Sequence, residues 1–187
     1  RADLERGIHV SDVGTGRGRA VIKLAQTFPR STFVGYDVFA PAIAIARGAA
    51  EIAGVSDRVR FEQLDASDGL PERFDLVTTF DVVHDAARPL DLLRAIRSAL
   101  SPNGAYLCVD INAAPTVEEN RGELGALFYG ISVLYCMTTS LAHGGAGLGT
   151  VGFHEHAVSA MCTEAGFTSV RKLPVENPFN NVYEIRP

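Results

Sequence analysis

The chain has 187 residues, 47% hydrophobic and 21% charged, which suffices for one well-buried core and is short for two domains. A formal net charge of −5 gives no general attraction to phosphate backbones, so direct nucleic acid binding is not expected. Apolar runs read as interrupted by charges or turns before the roughly 20 residues a membrane helix needs, so no membrane partner is expected either.

In chain order, Ile8–Val13 reads as a short apolar strand, followed by a glycine turn and a helix from about Arg19 to Phe28, stopped by Pro29. Thr32–Tyr36 is a second strand. Pro41 sits where helix starts favour proline, and a helical pattern runs on to Gly54. Val59–Leu64 alternates as a third strand, and Phe74–Phe80 is a fourth. Pro89–Leu100 is an amphipathic helix, and a Pro-Asn-Gly turn leads into a fifth strand, Tyr106–Ile111. Strands alternating with helices imply a parallel sheet covered on both faces. Residues 117–142 read as one or two helices, 143–153 as a glycine-rich loop, and His156–Ala165 as a last helix. Ser169–Leu173 and Asn181–Ile185 suit a terminal hairpin. Cys108, Cys136 and Cys162 are odd in number and far apart, against a disulfide framework or a zinc site. With no signal peptide visible, a reduced cytoplasmic setting is the simplest expectation.

The spacing Gly14-Thr-Gly16-Arg-Gly18 places free backbone N–H groups at the carboxyl edge of the sheet, where open α/β sheets bind ligands. A dinucleotide fingerprint would continue with a third glycine or alanine where Arg19 stands. Asp12 precedes the first glycine by two residues, Asp37 ends the second strand, and Asp65 ends the third. Asp37 is placed to accept bonds from ribose hydroxyls, and Asp65 from the exocyclic amine of an adenine. Three acids at successive strand ends suit a cationic ligand with ribose and adenine better than a pyrophosphate.

DVGTGRG, GYD, QLDASD and FDLVTTFDVVHD together resemble the successive motifs of class I methyltransferases that use S-adenosylmethionine. The resemblance implies a doubly wound, seven-stranded, mostly parallel sheet with an antiparallel last strand. It implies that Asp12, Gly14, Thr15, Gly16, Asp37, Val38, Asp65, Ala66 and Phe80 surround the cofactor, which leaves as S-adenosylhomocysteine. It also implies methyl transfer to a small-molecule acceptor, foremost a hydroxyl oxygen, by in-line attack with a histidine as general base.

The pair His84-Asp85 is similar to the His-Asp of small-molecule O-methyltransferases, and both residues are catalytic candidates. Those enzymes usually continue with tryptophan, where Ala86 stands here. His9 reads as a packed or edge residue of the first strand and His156 as solvent-facing, while His143 and His154 flank the glycine loop within reach of a substrate. A Mg²⁺ site at Asp81, Asp110 and Asn112 would need a different spacing, because Ile111 is interposed, so no metal is expected. Residues 113–153 read as an insertion. In it FYGISVLYCM is a packing stripe before it is a substrate wall, and GGAGLG is a possible lid. PFNNVYEIRP resembles the end of bacterial methyltransferases fused to an N-terminal winged helix. That likeness implies an upstream domain absent from this chain and a homodimer formed through it. Two other readings stand: a regulatory or vestigial domain that binds S-adenosylmethionine or its product without turnover, and an NAD-dependent oxidoreductase.

Overall fold

A computed structural model describes residues 1–187. Seven strands form one sheet in the order β3-β2-β1-β4-β5-β7-β6. They are β1 (His9–Val13), β2 (Thr32–Asp37), β3 (Val59–Gln63), β4 (Phe74–Phe80), β5 (Leu100–Ile111), β6 (Ser169–Lys172) and β7 (Asn180–Arg186). The first five are parallel. β7 runs antiparallel to both β5 and β6, as the terminal hairpin pattern anticipates.

Helices cover both faces, and two apolar clusters mark the two layers. On one face, α2 (Arg19–Thr27) and α3 (Ala40–Ile52) bury Val21, Ala25, Ile43 and Ala46 against Phe33 and Phe61. On the other, α4 (Pro89–Ala99) and α7 (Glu155–Glu164) pack Leu93, Ile96 and Val158 on Phe74, Tyr106 and Tyr183. In α4 the apolar positions recur at helical spacing, and Pro89 occupies its first turn, where a missing N–H is harmless.

The chain winds outward from β1 to β3 and then returns to β4 beside β1. Between β1 and β4 lies the switch point at which open α/β sheets form their binding crevice. Asp12 stands opposite Thr78 there, and Val13 opposite Thr79. The turn leaving β1 demands glycine. Gly14 has φ +70°, and a Cβ there would come within 2.5 Å of Val82 Cγ2.

Four details depart from the sequence reading. A short helix, α1 (Ala2–Arg6), precedes β1. β3 ends at Gln63, so Asp65 lies beyond the strand and caps a 3₁₀ turn through Ser67 N at 2.9 Å. β5 starts at Leu100 rather than Tyr106, its pairing with β4 shifting register between Phe74 and Leu76. Finally, Glu123–Ala142 is one helical rod of 20 residues with mean hydropathy 1.5, long and apolar enough by length and composition to cross a membrane. This corrects the expectation that no apolar run reaches that length. Only Glu123 is charged, and Gly125 and Gly130 do not break the helix. The rod comprises α5 (Glu123–Ile131), a π-helical turn (Ser132–Cys136) and α6 (Met137–Ala142). Its stripe is only partly core: Phe128 and Cys136 are buried, whereas Leu134 is 84% exposed and Tyr135 61%.

Candidate active site

Asp12 sits inside the sheet at the base of the crevice, where it accepts a 2.6 Å hydrogen bond from Thr78 Oγ1. Burial pushes its carboxyl up to about 6. With Gly14, Thr15, Ala20 and Phe80, Asp12 lines a cleft of about 310 Å³. Asp37 reaches back over the glycine turn. Its Oδ2 accepts from Gly16 N at 2.8 Å and its Oδ1 from Phe39 N at 2.9 Å. A carboxylate has about four lone-pair positions, so Asp37 keeps acceptor capacity for a ligand.

Asp65 also retains capacity while holding the fold. Besides Ser67 N it accepts from Arg88 at 2.8 Å, and Arg88 binds Asp68 as well. Partial burial would raise the Asp65 carboxyl, but these partners outweigh that and hold it below its ordinary range. Val38 is exposed beside Asp37, and Ala66 is buried behind Asp65. Phe80 is part-exposed at the end of β4. The acids that the sequence singled out therefore do lie along one edge of β1, β2 and β3.

The short turn Val83–Asp85 after β4 carries His84, which is 3% exposed. Its Nδ1 lies 2.6 Å from Asp110 Oδ1, on β5. The carboxylate accepts this bond, so Nδ1 carries the hydrogen, and in the neutral ring Nε2 presents a lone pair. Nε2 is 3.2 Å from Asp85 Oδ1, yet that oxygen has no hydrogen bond. Asp110 thus orients the ring, a role the sequence reading had not given it, while Asp85 contributes charge. Burial alone would lower the His84 pKa; the Asp110 bond and the charges of Asp110, Asp85 and Asp81 outweigh it and raise the value.

The model of a family described as a methyltransferase domain matches residues 4–147. This chain belongs to that family. The ubiquinone biosynthesis O-methyltransferases of Roseobacter denitrificans and Dinoroseobacter shibae are each 32% identical over 110 residues, which is 59% of this chain and 44% of theirs. The mitomycin 7-O-methyltransferase structure superposes with a TM-score of 0.76 at 23% identity, covering 98% of this chain and 50% of that one. A neocarzinostatin-biosynthesis O-methyltransferase gives 0.74 at 20% identity, with the same coverage. That enzyme was solved with S-adenosyl-L-homocysteine and 1,4-dihydroxy-2-naphthoic acid. At these identities the two structures establish the fold. The chain spans less than half the length of these two curated relatives and about half that of the solved ones.

Within this methyltransferase domain the other histidines fall outside the His84 group. His9 stacks on Phe74 with ring centroids 4.8 Å apart, as a packed strand residue should. His143 Nδ1 bonds Thr139 O at the end of α6. His154 starts α7 and meets His156 with ring centroids 6.2 Å apart. Asp81, with φ +55°, brings a carboxylate oxygen within 4.8 Å of donor atoms of His84 and Asp110. Asn112 turns instead toward Asn177 O.

The glycine-rich segment 143–153 is strapped across the His84 turn. Gly149 N donates to His84 O, Ala146 N to Ala87 O, and Thr150 N to Ser132 Oγ. Its glycines serve close packing: a Cβ on Gly149 would come within 2.2 Å of Ser132 Oγ.

Proposed function

We propose that this domain methylates a hydroxyl oxygen of a small molecule, using S-adenosylmethionine as donor and His84 as proton acceptor. The observation that carries the reading is the Asp110–His84 bond at the cofactor edge, which fixes the ring and leaves Nε2 without a hydrogen bond. The chain's own residues fit the donor. The glycine turn leaves open space at Gly16, where a Cβ would meet nothing within 4 Å. Asp37 and Asp65 keep acceptor positions for ribose and adenine, and Ala66 and Val38 give the adenosine apolar neighbours. When bound, S-adenosylmethionine supplies a methyl group already activated on a positively charged sulfur.

What remains for the protein is to place the acceptor, exclude water and take a proton. His84 Nε2 would take the hydroxyl proton, and Asp110 would hold the imidazolium through Nδ1. The strap and the π-helical turn cover His84, which is 3% exposed, so an acceptor would reach Nε2 by displacing part of that cover. The same cover favours a second reading, a domain that binds the donor or its product without turnover.

Calorimetric titration with S-adenosylhomocysteine tests the donor site, and micromolar affinity is expected. Asp37→Ala should weaken it by about tenfold or more, since bonds to charged acceptors contribute about 1.5–3 kcal/mol. Undiminished affinity in that variant sinks the ribose assignment, and binding of NAD⁺ in place of S-adenosylhomocysteine overturns the donor assignment.

A further inference from the structure

Cys136 ends the π-helical turn of the rod and is buried against the turn that carries His84. One donor atom each from Cys136, His84 and Asp85 lie within 4.8 Å of one another. Nδ1 of His84 is committed to Asp110, so Nε2 is the ring nitrogen left to this group. It stands 3.2 Å from Asp85 Oδ1, and that oxygen is buried with no hydrogen-bond partner. In the neutral ring these are two electron-pair donors side by side, and a cation bound to both relieves their repulsion. Their separation matches the edge, about 3.3 Å, of a tetrahedron whose corners lie about 2.0 Å from its centre, the reach of zinc to nitrogen and oxygen.

Two of the three side chains are also held from behind. Asp110 Oδ1 accepts from His84 Nδ1 at 2.6 Å, and Thr150 Oγ1 donates to Cys136 Sγ at 3.0 Å. An acceptor behind a ligating histidine fixes its tautomer and aim, and a hydroxyl donating to a thiolate stabilises its charge. The Asp85 side chain is 30% exposed, which gives an ion a way in and leaves a fourth corner for water.

We propose that His84 Nε2, Asp85 Oδ1 and Cys136 Sγ form a binding site for a divalent transition metal ion, zinc foremost. A set of nitrogen, oxygen and thiolate ligands selects against Mg²⁺ and Ca²⁺, which take oxygen alone. One carboxylate and one thiolate neutralise the two charges of the ion, as a buried site requires. On binding, the Cys136 thiol gives its proton to solvent and the sulfur donates an electron pair to the metal. Cysteine spacing hides such a site, because two ligands come from the turn after β4 and the third from the rod. The ion takes the Nε2 lone pair that a proton acceptor needs, so zinc should halt methyl transfer. That consequence rests on the base reading above; the site itself does not.

The test is titration of the reduced, unaltered chain with Co²⁺, whose bond to a thiolate absorbs in the near ultraviolet. One ion per chain should produce this band, and colourless Zn²⁺ should bleach it by taking the same ligands. Cys136→Ser should abolish the band and lower Co²⁺ affinity by about 100-fold or more, because losing a ligand outweighs the cost, about 10- to 100-fold, of losing a residue that only supports one. Asp85→Asn should keep the band and weaken Co²⁺ binding by about tenfold or more, since it removes a charge at the ion. Thermal melting of the metal-free variants checks that they fold. Absence of the band from the unaltered chain, or a band undiminished in Cys136→Ser, overturns the site. Undiminished affinity in Asp85→Asn overturns the three-ligand set. Stoichiometric Zn²⁺ should suppress transfer by the unaltered chain far more than by Cys136→Ser, each compared with its own metal-free rate. Bound zinc without suppression would overturn the base reading and leave the metal site standing.

Discussion

Replacing His84 with alanine should leave affinity for S-adenosylhomocysteine nearly unchanged and lower methyl transfer to a hydroxylated acceptor by about 10²–10⁴, the usual contribution of a positioned base. Radiolabelled transfer and calorimetry on the same preparation measure the two effects. Full transfer by the variant would remove His84 as proton acceptor. No transfer by the unaltered chain to any of a broad panel of hydroxylated acceptors would favour the binding-only reading. The pH profile adds a test that a packing role does not predict. The His84 pKa is raised, so the imidazole is protonated and unable to accept a proton until the pH exceeds that raised value. Transfer should therefore rise with pH through it. Asp110→Asn removes the strongest of the interactions that raise it, so the rising limb should move to lower pH. A merely structural Asp110 would lower the rate and leave the limb where it was. Asp110 acts through His84 and is a positioning residue.

The sequence reveals the cofactor edge better than it reveals the proton path, and the reason is physical. Asp12, the glycines and Asp37 lie within one strand–turn–helix–strand unit, so short-range spacing places them together. Asp110 is 26 residues from His84, and only the pairing of Phe80 with Val109 in neighbouring strands brings the two together. Sequence reasoning therefore turned to the adjacent Asp85. One signal was available: an aspartate inside the apolar run YLCVDI, two residues after Cys108 and so on the same face of its strand. A buried strand acid needs a partner, and a strand-end histidine nearby supplies one. The helix 123–142 was legible as helical but not as a single exposed rod. Its glycines suggest a break that i→i−4 bonding and one π-helical turn instead bridge. Nor does periodicity show which face remains uncovered, as Leu134 and Tyr135 do.

Asp12→Asn should stabilise the folded chain at neutral pH by about 2–3 kcal/mol, because a carboxyl raised from 3.8 to about 6 is ionised there at the expense of folding. The sign follows from proton counting. Between 3.8 and about 6 the folded chain holds a proton on Asp12 that the unfolded chain has released. This group's contribution to stability therefore falls as pH rises through that window, and stays low above it. Asparagine keeps an oxygen to accept from Thr78 and has no charge to desolvate. Urea unfolding of both chains at pH 4, 5, 6 and 7 measures the difference, which should grow with pH and then level off. A difference that does not change with pH would show that Asp12 titrates as an ordinary exposed acid, contrary to its burial. The same variant should bind S-adenosylhomocysteine more weakly if the buried charge serves the ligand's ammonium group. A side chain that destabilises the empty fold and strengthens the loaded one is what a binding site retains and a packing site does not.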